Sequence, residues 1–379
     1  MRHFSGIFFA SSLLVSFLLC DLFFQKIFYG KFLLGKNFLL ERYRENLLKE
    51  QLYRFDPTLG WNLNRKINTW QSSPDSRFTK QNRFSMVRTD QYGFRITPNT
   101  WKISLSKKKI LALGDSFTFG AEVNDSETWP AHLQALLKTK VLNGGVSGFG
   151  LDQMYLKLSD DIRVHRPSMI IMSIMNRTLL RTALTHRISQ PFGESREKPF
   201  FKLQSRDLKQ TRAHLTDTIF HGRLDPIRNF LGSSALVDWF FNAYFPSYWH
   251  QAAHETEYPV GFKTGEDPLQ LSCRLLKKSH ELAAKYGAKL VVLSQAYHVK
   301  ERAESGGAYL TDPLLKAVLT CYSNNGEPVL DLDAALHQIF NDNRHLYHSL
   351  FFWGKHMTNQ GNLYVAQSIE QFLQGQNLL

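Results

Sequence analysis

Cysteine, acidic residues and repeats are all scarce in this chain of 379 residues. It has three cysteines, and it contains neither a C-x-x-C pair nor a Cys/His spacing typical of a zinc site. Its 33 acidic residues are outnumbered by 46 lysines and arginines, which gives a formal net charge of +13. No internal repeat or low-complexity tract is present. These absences exclude a small disulfide-stapled scaffold, a collagen-like repeat and a disordered tail, and 43% hydrophobic residues suffice for a buried core.

The basic excess is concentrated in one segment. Between Gln51 and Ile110, twelve lysines and arginines face three acidic residues, and several aromatic residues lie among them. No helix-turn-helix, RNP or zinc-finger pattern accompanies this segment, so we expect no nucleic acid partner. We expect it to face lipid headgroups or an acidic glycan and to stand apart from any catalytic site.

The segment from Phe4 to Phe24 is almost entirely apolar. Its length matches the ~20 residues that cross a bilayer as a helix. Leu18 and Leu19, just before Cys20, are bulkier than the residues that precede a signal cleavage site. We therefore predict an uncleaved membrane anchor, with the remainder of the chain outside the cytoplasm, in the periplasm or at the cell surface. A cleaved signal peptide and a buried core helix are the alternatives.

Short apolar runs alternate with helical patterns in the middle and at the end of the chain, which predicts an α/β protein with a doubly wound parallel sheet. The predicted strands are Lys109–Leu113, Lys140–Leu142, Met169–Met175, Lys289–Ser294 and Pro328–Leu332. The alternation disappears in the middle of the chain, where we predict an irregular insertion. The predicted domains are a membrane anchor (1–25), an amphipathic and basic lead-in (26–106), the sheet domain (107–178 with 268–379) and the insertion (179–267).

Groups capable of chemistry follow the predicted strands, and the sites of such sheets lie at the carboxyl ends of the strands. Ser116 comes after the first strand, Gly148 lies in a glycine-rich loop after the second, and Asn176 follows the third. His356 lies just before the predicted last helix. A serine can act as a nucleophile if a base takes its proton. Taken singly, Ser116 could instead cap a helix, the glycine loop could simply be a turn, and His356 could be structural.

Together, these four blocks resemble the SGNH (GDSL-type) hydrolases, in the order Gly114-Asp115-Ser116, glycine-rich loop, Asn176 and His356. The resemblance extends over Phe55–Asn176 and, more loosely, Pro268–Leu379, and its lead-in is similar to that of bacterial members with an N-terminal anchor. It implies the flavodoxin-like fold of that family, with Ser116 as nucleophile and His356 as general base. It also implies that the Ser116 N–H, the Gly148 N–H and the Asn176 side chain form the oxyanion hole.

The chain departs from the family pattern in two blocks. The third block usually reads Gly-x-Asn-Asp, but here Ser173-Ile174-Met175-Asn176-Arg177 lacks both the glycine and the aspartate. The aspartate that usually precedes the catalytic histidine is replaced by Trp353 and Gly354. We therefore expect Asp331 or Asp333 to orient His356, with a backbone carbonyl near Trp353 as the alternative.

The resemblance implies a serine esterase that removes an acyl group, such as O-acetyl, from a cell-surface glycan or lipid. The alternatives are an O-acyltransferase for an exported polysaccharide and a non-catalytic glycan-binding relic of the fold. We expect no cofactor and no metal, while the membrane and the acylated glycan or lipid are the expected partners. Cys273 and Cys321 lie in predicted helices, and the sequence leaves open whether they pair.

Overall fold

The computed structural model describes residues 2–29, 52–74, 82–98, 108–189, 194–205, 207–211, 227, 230–245, 263–295, 312–324, 326–352 and 356–379. Side chains before Ser11 lie outside this description. So do Trp353 and Gly354, the positions where the family aspartate was sought.

Five parallel strands form the central sheet. They are β5 (Lys109–Leu113), β6 (Lys140–Asn143), β7 (Met169–Ile174), β12 (Lys289–Ser294) and β13 (Val329–Asp331), in the order β6-β5-β7-β12-β13. Taken in chain order, the strands lie 2-1-3-4-5, which is the flavodoxin-like order. The predicted α/β class and parallel sheet are therefore confirmed, with each strand at its predicted place.

Helices cover both faces of the sheet because successive strand residues point to opposite sides. In β7, Ile170 and Met172 belong to one core and Met169 and Ile171 to the other. The first core is shared with α4 (Leu151–His165), α7 (Pro268–Lys285) and α8 (Pro313–Ser323), and the second with α3 (Trp129–Leu137), α9 (Leu332–Asp342) and α11 (Asn359–Gly375). The sheet is thus doubly wound, as predicted.

The cysteine pair left open by the sequence is formed in the first of these layers. Cys273 in α7 is disulfide-bonded to Cys321 in α8, whereas Cys20 is free and exposed. The bond ties together two helices on one face of the sheet.

Polar segments outside the sheet form antiparallel hairpins. The lead-in holds β1 (Tyr53–Asp56) with β2 (Gly60–Leu63) and β3 (Asn68–Pro74) with β4 (Asn82–Arg88). The predicted insertion holds β8 (His186–Ser189) with β9 (Glu194–Glu197) and β10 (Phe200–Gln204) with β11 (Asp207–Thr211). The expectation of an irregular insertion was wrong in this respect, since charged residues interrupt the apolar pattern by which strands are recognised.

The remaining helices are short except for the first. They are α1 (Arg2–Tyr29), α2 (Ser116–Phe119), α5 (Asn176–Thr182), α6 (Ala235–Tyr244) and α10 (Arg344–Ser349). Within the described part of the chain, no helix combines the length and apolar character needed to cross a membrane. The predicted transmembrane anchor therefore has no support from the structure.

The described residues group into two compact units. One draws on Met1–Glu50, His186–Glu197 and His214–Lys263, and in it α1 packs on α6 through Phe24 and Trp239. The other contains the sheet and draws on Gln51–Thr185, Lys198–Ala213 and Thr264–Leu379.

Candidate active site

Ser116 occupies a fixed turn at the carboxyl end of β5. It is the first residue of α2, and Asp115 caps that helix by accepting a hydrogen bond from the Phe117 N–H at 3.0 Å. The other carboxylate oxygen of Asp115 accepts from Arg181 Nη1 of α5 at 3.1 Å, in an ion pair that is almost wholly buried. Both contacts hold the turn from beneath and leave the serine hydroxyl half-buried at the edge of the sheet.

His356 reaches this serine from the segment before α11. The Phe352 N–H donates to the His356 carbonyl at 2.8 Å, and Phe351 pairs with Met357, so the histidine and the residue after it are held by backbone contacts. Its Nε2 lies 2.9 Å from Ser116 Oγ. This is the distance over which a general base can take the proton of a serine hydroxyl.

The second nitrogen of the histidine meets a carboxylate that the sequence did not single out. His356 Nδ1 lies 3.0 Å from Glu122 Oε1, and the Glu122 side chain is only 8% exposed. If Nε2 accepts the serine proton, Nδ1 carries a hydrogen that Glu122 accepts, which fixes both tautomer and ring orientation. Ser116, His356 and Glu122 therefore have the geometry of a catalytic triad.

Neither Asp331 nor Asp333 occupies the position at Nδ1. Asp331 is the last residue of β13 and Asp333 lies in the first turn of α9, and β13 is separated from β5 by β12 and β7, or about 14 Å at the usual strand spacing. One Asp331 oxygen accepts hydrogen bonds from Ser294 Oγ and from the Ala334 N–H, as the cap of α9. The expectation that one of them orients His356 is corrected to Glu122.

A local signal could have found Glu122. It follows Gly120 in the loop after α2, and α2 is a single turn of four residues, so this loop must reverse close to the serine. The family pattern places the acid just before the histidine, and the aspartates expected in its place follow a later strand, so neither expectation included an acid in the loop after Ser116.

Gly148 lies in a tight turn after β6. The Phe149 N–H donates to the Val146 carbonyl at 3.2 Å, and Gly148 has a φ of 82° at the third position of the turn. A type II turn requires this left-handed conformation there, which favours glycine. Because β6 pairs with β5, the loop with the Gly148 N–H lies at the same edge of the sheet as Ser116.

Gly145 lets this loop approach the helix of the serine. A Cβ at Gly145 would lie 2.2 Å from the Phe119 nitrogen, so any larger residue would push the loop away from α2. The Gly145 N–H also donates to Asn143 Oδ1 at 3.1 Å. Glycine is thus required at this position for the loop after β6 to pack against α2.

Asn176 is the first residue of α5 and follows β7 directly after Met175. Since β7 is the other neighbour of β5, Asn176 lies at the edge of the sheet that also carries Ser116 and the Gly148 loop. The three predicted oxyanion donors therefore come from adjacent strand ends. Their role remains a prediction.

The lead-in contributes to the site, contrary to our expectation that it stands apart. Trp61 of β2 is buried and donates its indole N–H to the Ser147 carbonyl at 3.1 Å, next to Gly148. Arg95 is buried and donates to the carbonyls of Phe119 and Gly120. Large buried side chains of the lead-in are therefore supports of the loops around Ser116.

No family model and no curated protein matches this chain. Among solved structures, it is similar to a protein assigned to the lipolytic G-D-S-L family from Desulfitobacterium hafniense DCB-2, with 14% identity, a TM-score of 0.38 and coverage of 70% of this chain and 99% of the other. It is also similar to a variant of the acetyl xylan esterase Axe2 from Geobacillus stearothermophilus, with 12% identity, a TM-score of 0.38 and coverage of 70% of this chain and 94% of the other. For TesA, the identity is 13%, the TM-score is 0.37, and the coverage is 72% of this chain and 100% of the other. Identities and TM-scores this low do not identify a function, which has to rest on the geometry of the site.

Proposed function

We propose that this chain is a serine esterase that removes an acyl group, such as O-acetyl, from a cell-surface glycan or lipid. The observation that carries the proposal is the continuous hydrogen-bonded series from Ser116 Oγ through His356 to Glu122, with distances of 2.9 and 3.0 Å. A non-catalytic relic of the fold has no need to keep the base within reach of the serine or a carboxylate on its far nitrogen. This geometry therefore favours an enzyme over a binding protein.

The reaction follows from the roles of these three residues. Ser116 Oγ attacks the ester carbonyl carbon while His356 Nε2 takes the hydroxyl proton, and the C–O bond to the alcohol breaks as His356 returns that proton to the leaving oxygen. Water then attacks the acyl-serine while His356 takes a proton from it. The bond between the acyl carbon and Ser116 Oγ breaks, His356 returns the proton to Oγ, and the carboxylic acid leaves. Glu122 holds the ring and stabilises the imidazolium that forms in each step.

The oxyanion of each tetrahedral intermediate would be bound by the Ser116 N–H, the Gly148 N–H and the Asn176 amide. Such donors act where negative charge develops, and losing one typically costs about 10²–10³ in rate. Transfer of the acyl group to a sugar hydroxyl would pass through the same acyl-serine, so an O-acyltransferase is distinguished by its acceptor and not by this site.

Turnover of p-nitrophenyl acetate by the full-length chain tests the proposal. We expect Ser116→Ala to abolish turnover without changing the thermal unfolding temperature, because Ser116 is half-buried at the edge of the sheet. The matched control is Ser159→Ala in α4, whose hydroxyl donates to the Leu156 carbonyl of its own helix. Wild-type turnover by the Ser116 variant would refute the proposed nucleophile.

The substrate class and the acceptor of the acyl group are tested with further substrates. Acetate release from acetylated xylan, compared with p-nitrophenyl esters of longer chains, separates glycan from lipid-like substrates. Accumulation of an acetylated sugar in place of free acetate would assign transfer instead of hydrolysis.

We further propose that the protein acts outside the cytoplasm, attached to a membrane by its N-terminal segment. The Cys273–Cys321 disulfide supports an oxidising compartment, where such bonds persist. The exposed apolar side chains of α1, among them Leu14, Leu19 and Phe23, support contact with lipid. Retention of the chain in membranes washed with alkaline carbonate would agree with attachment, and its release into the wash would contradict it.

A further inference from the structure

Arg95 is a wholly buried cation that contacts the loop after α2. Its side chain has no exposed surface, and its Nε is paired with Asp125 Oδ1 at 3.0 Å. Asp125 is also almost buried and also binds Arg88. Burying a guanidinium is costly unless each of its N–H groups meets an acceptor. The positions of those acceptors therefore indicate the role of Arg95.

Most hydrogen bonds of the Arg95 guanidinium go to the loop that carries Glu122 and to the residue before it. We call Gly120–Val123 the acid loop. Arg95 Nη1 donates to the Phe119 and Gly120 carbonyls, at 2.8 and 2.5 Å, and Nη2 donates to the Val123 carbonyl at 2.7 Å and to the Met86 carbonyl of β4 at 3.1 Å. One planar group therefore holds the backbone on both sides of Glu122.

The acid loop needs such a restraint because Glu122 has a left-handed backbone. Its φ is 74°, a conformation that residues other than glycine adopt rarely and at a cost of about 1–3 kcal/mol. A backbone of this kind persists only when its surroundings hold it. The carbonyls bound by Arg95 flank the strained residue, so they are the contacts best placed to do so.

Arg95 is itself fixed to the sheet. Its backbone N–H donates to the Asn143 carbonyl at the end of β6, at 3.0 Å, and its guanidinium lies over the Phe119 ring. A lysine could not replace this side chain, because an ammonium lacks the planar fork that reaches several carbonyls at once.

We propose that Arg95 is a positioning residue for the triad, which holds the acid loop so that the Glu122 carboxylate meets His356 Nδ1. This inference rests on the proposed esterase function. It assigns a role in the site to a residue of the basic lead-in, and that role is exerted through Glu122 and not through contact with the substrate.

A double-mutant cycle with Glu122 separates positioning from general support of the fold. We expect Arg95→Met to lower kcat for p-nitrophenyl acetate by about 10- to 100-fold, since misplacing a catalytic group by about 1 Å can cost this much. In a Glu122→Gln background, the same change should cost less than about threefold, because residues that act through one contact are not additive. Equal losses in both backgrounds would overturn the proposal.

Two further variants control for charge and folding. Arg88→Met removes the other partner of Asp125, which binds Oδ2 at 2.8 Å, and it should leave kcat within about twofold of the wild type. Arg95→Lys keeps a cation beside Asp125 with fewer donors, so we expect a folded protein with an intermediate kcat. If both Arg95 variants fail to fold, Arg95 supports the whole unit and the proposal is wrong.

A spectroscopic readout keeps this test distinct from that of the proposed function. The hydrogen bond between His356 Nδ1 and Glu122 should give a low-field proton resonance in the wild type, which Glu122→Gln and Arg95→Met should both remove and Arg88→Met should retain. A resonance that survives Arg95→Met overturns the positioning role even if no ester is turned over. Absence of Ser116-dependent turnover with a resonance that depends on Arg95 would overturn only the esterase proposal.

Discussion

In the proposed triad, Glu122 provides the carboxylate from the loop that follows Ser116. The expected acids, Asp331 and Asp333, lie at the end of the outermost strand and in the first turn of the helix after it, whereas Glu122 lies 3.0 Å from His356, in the loop after the single turn of α2. The proposed nucleophile and the proposed orienting acid thus lie on one continuous segment. The histidine is the only member of the three that must be brought from the far end of the chain.

We predict that Glu122→Gln lowers kcat by about 10²–10⁴ without unfolding the protein. A neutral amide can present the wrong hydrogen-bonding group to Nδ1 and cannot stabilise the imidazolium, and in the serine-protease template the equivalent change costs about 10⁴. The measurement is p-nitrophenyl acetate turnover together with thermal unfolding.

Asp331→Asn is the matched control for this prediction. It makes the same carboxylate-to-amide change in the residue that the sequence favoured, and asparagine remains a good helix cap. We expect its kcat to stay within about twofold of the wild type. A large loss with Asp331→Asn and none with Glu122→Gln would return the orienting role to Asp331.

At the scale of elements, what could be predicted depended on how apolar each element is. The strand β7 is buried along its whole length, so its run of apolar residues identified it at once. The hairpin of β10 and β11 has only five-residue strands in which charged and polar residues interrupt the apolar ones, and this pattern predicted irregular structure. Glu122 was missed for a different reason: its only signal is its closeness to Ser116 in the sequence, and that closeness does not show that it faces His356.

Lys198 links the β10–β11 hairpin to α4, the helix that follows the glycine-rich loop. It lies just before β10 and forms a fully buried ion pair with Asp152 in the first turn of α4. Lys198 also donates to the Leu184 and Pro199 carbonyls, at 2.9 and 3.1 Å. The pair therefore joins α4 to a segment that the sequence placed in a separate insertion.

Burial raises the pKa of Asp152 from 3.8 to about 6, although Lys198 opposes the shift. The Asp152 carboxyl group therefore keeps its proton to higher pH in the folded chain than in the unfolded chain. As a result, the contribution of Asp152 to the free energy of unfolding decreases between about pH 3.8 and 6 and is constant above pH ~6. Without Lys198, the pKa of Asp152 should rise further and the decrease should continue to higher pH.

We therefore predict that Lys198→Met destabilises the protein by about 3–5 kcal/mol at pH ~8 and by less at pH ~5, where Asp152 can be buried as the neutral acid. Urea unfolding at the two pH values measures the difference. Adding Asp152→Leu removes the unpaired carboxyl group and should recover most of the loss at pH ~8. An equal loss at both pH values would show that the charge of Asp152 is not its cause.

At the scale of the whole molecule, residues distant in the chain share one unit. The lead-in from Gln51, the strand–helix core and β10–β11 belong together, and Trp61 and Arg95 of the lead-in contact loops of the candidate site. The division that the sequence suggested, between a basic lead-in and a catalytic domain, does not describe these contacts. Removing the lead-in to obtain a smaller protein would remove side chains that support the loops of the candidate site.

The Cys273–Cys321 disulfide joins α7 and α8 on the face of the sheet away from α11, which follows His356. It closes a loop with a sequence separation of 48, which corresponds to about 4 kcal/mol in the loop-entropy relation. We predict that the double substitution Cys273→Ser with Cys321→Ser lowers the thermal unfolding temperature by roughly 10 °C and leaves kcat unchanged.

Dithiothreitol should have the same effect on the wild type and none on the double variant, whereas Cys20→Ser, at the free cysteine, should change neither quantity. An unfolding temperature unaffected by reduction would contradict a stabilising role for the bond. A fall in kcat with an unchanged unfolding temperature would instead mean that the α7–α8 layer acts on the site.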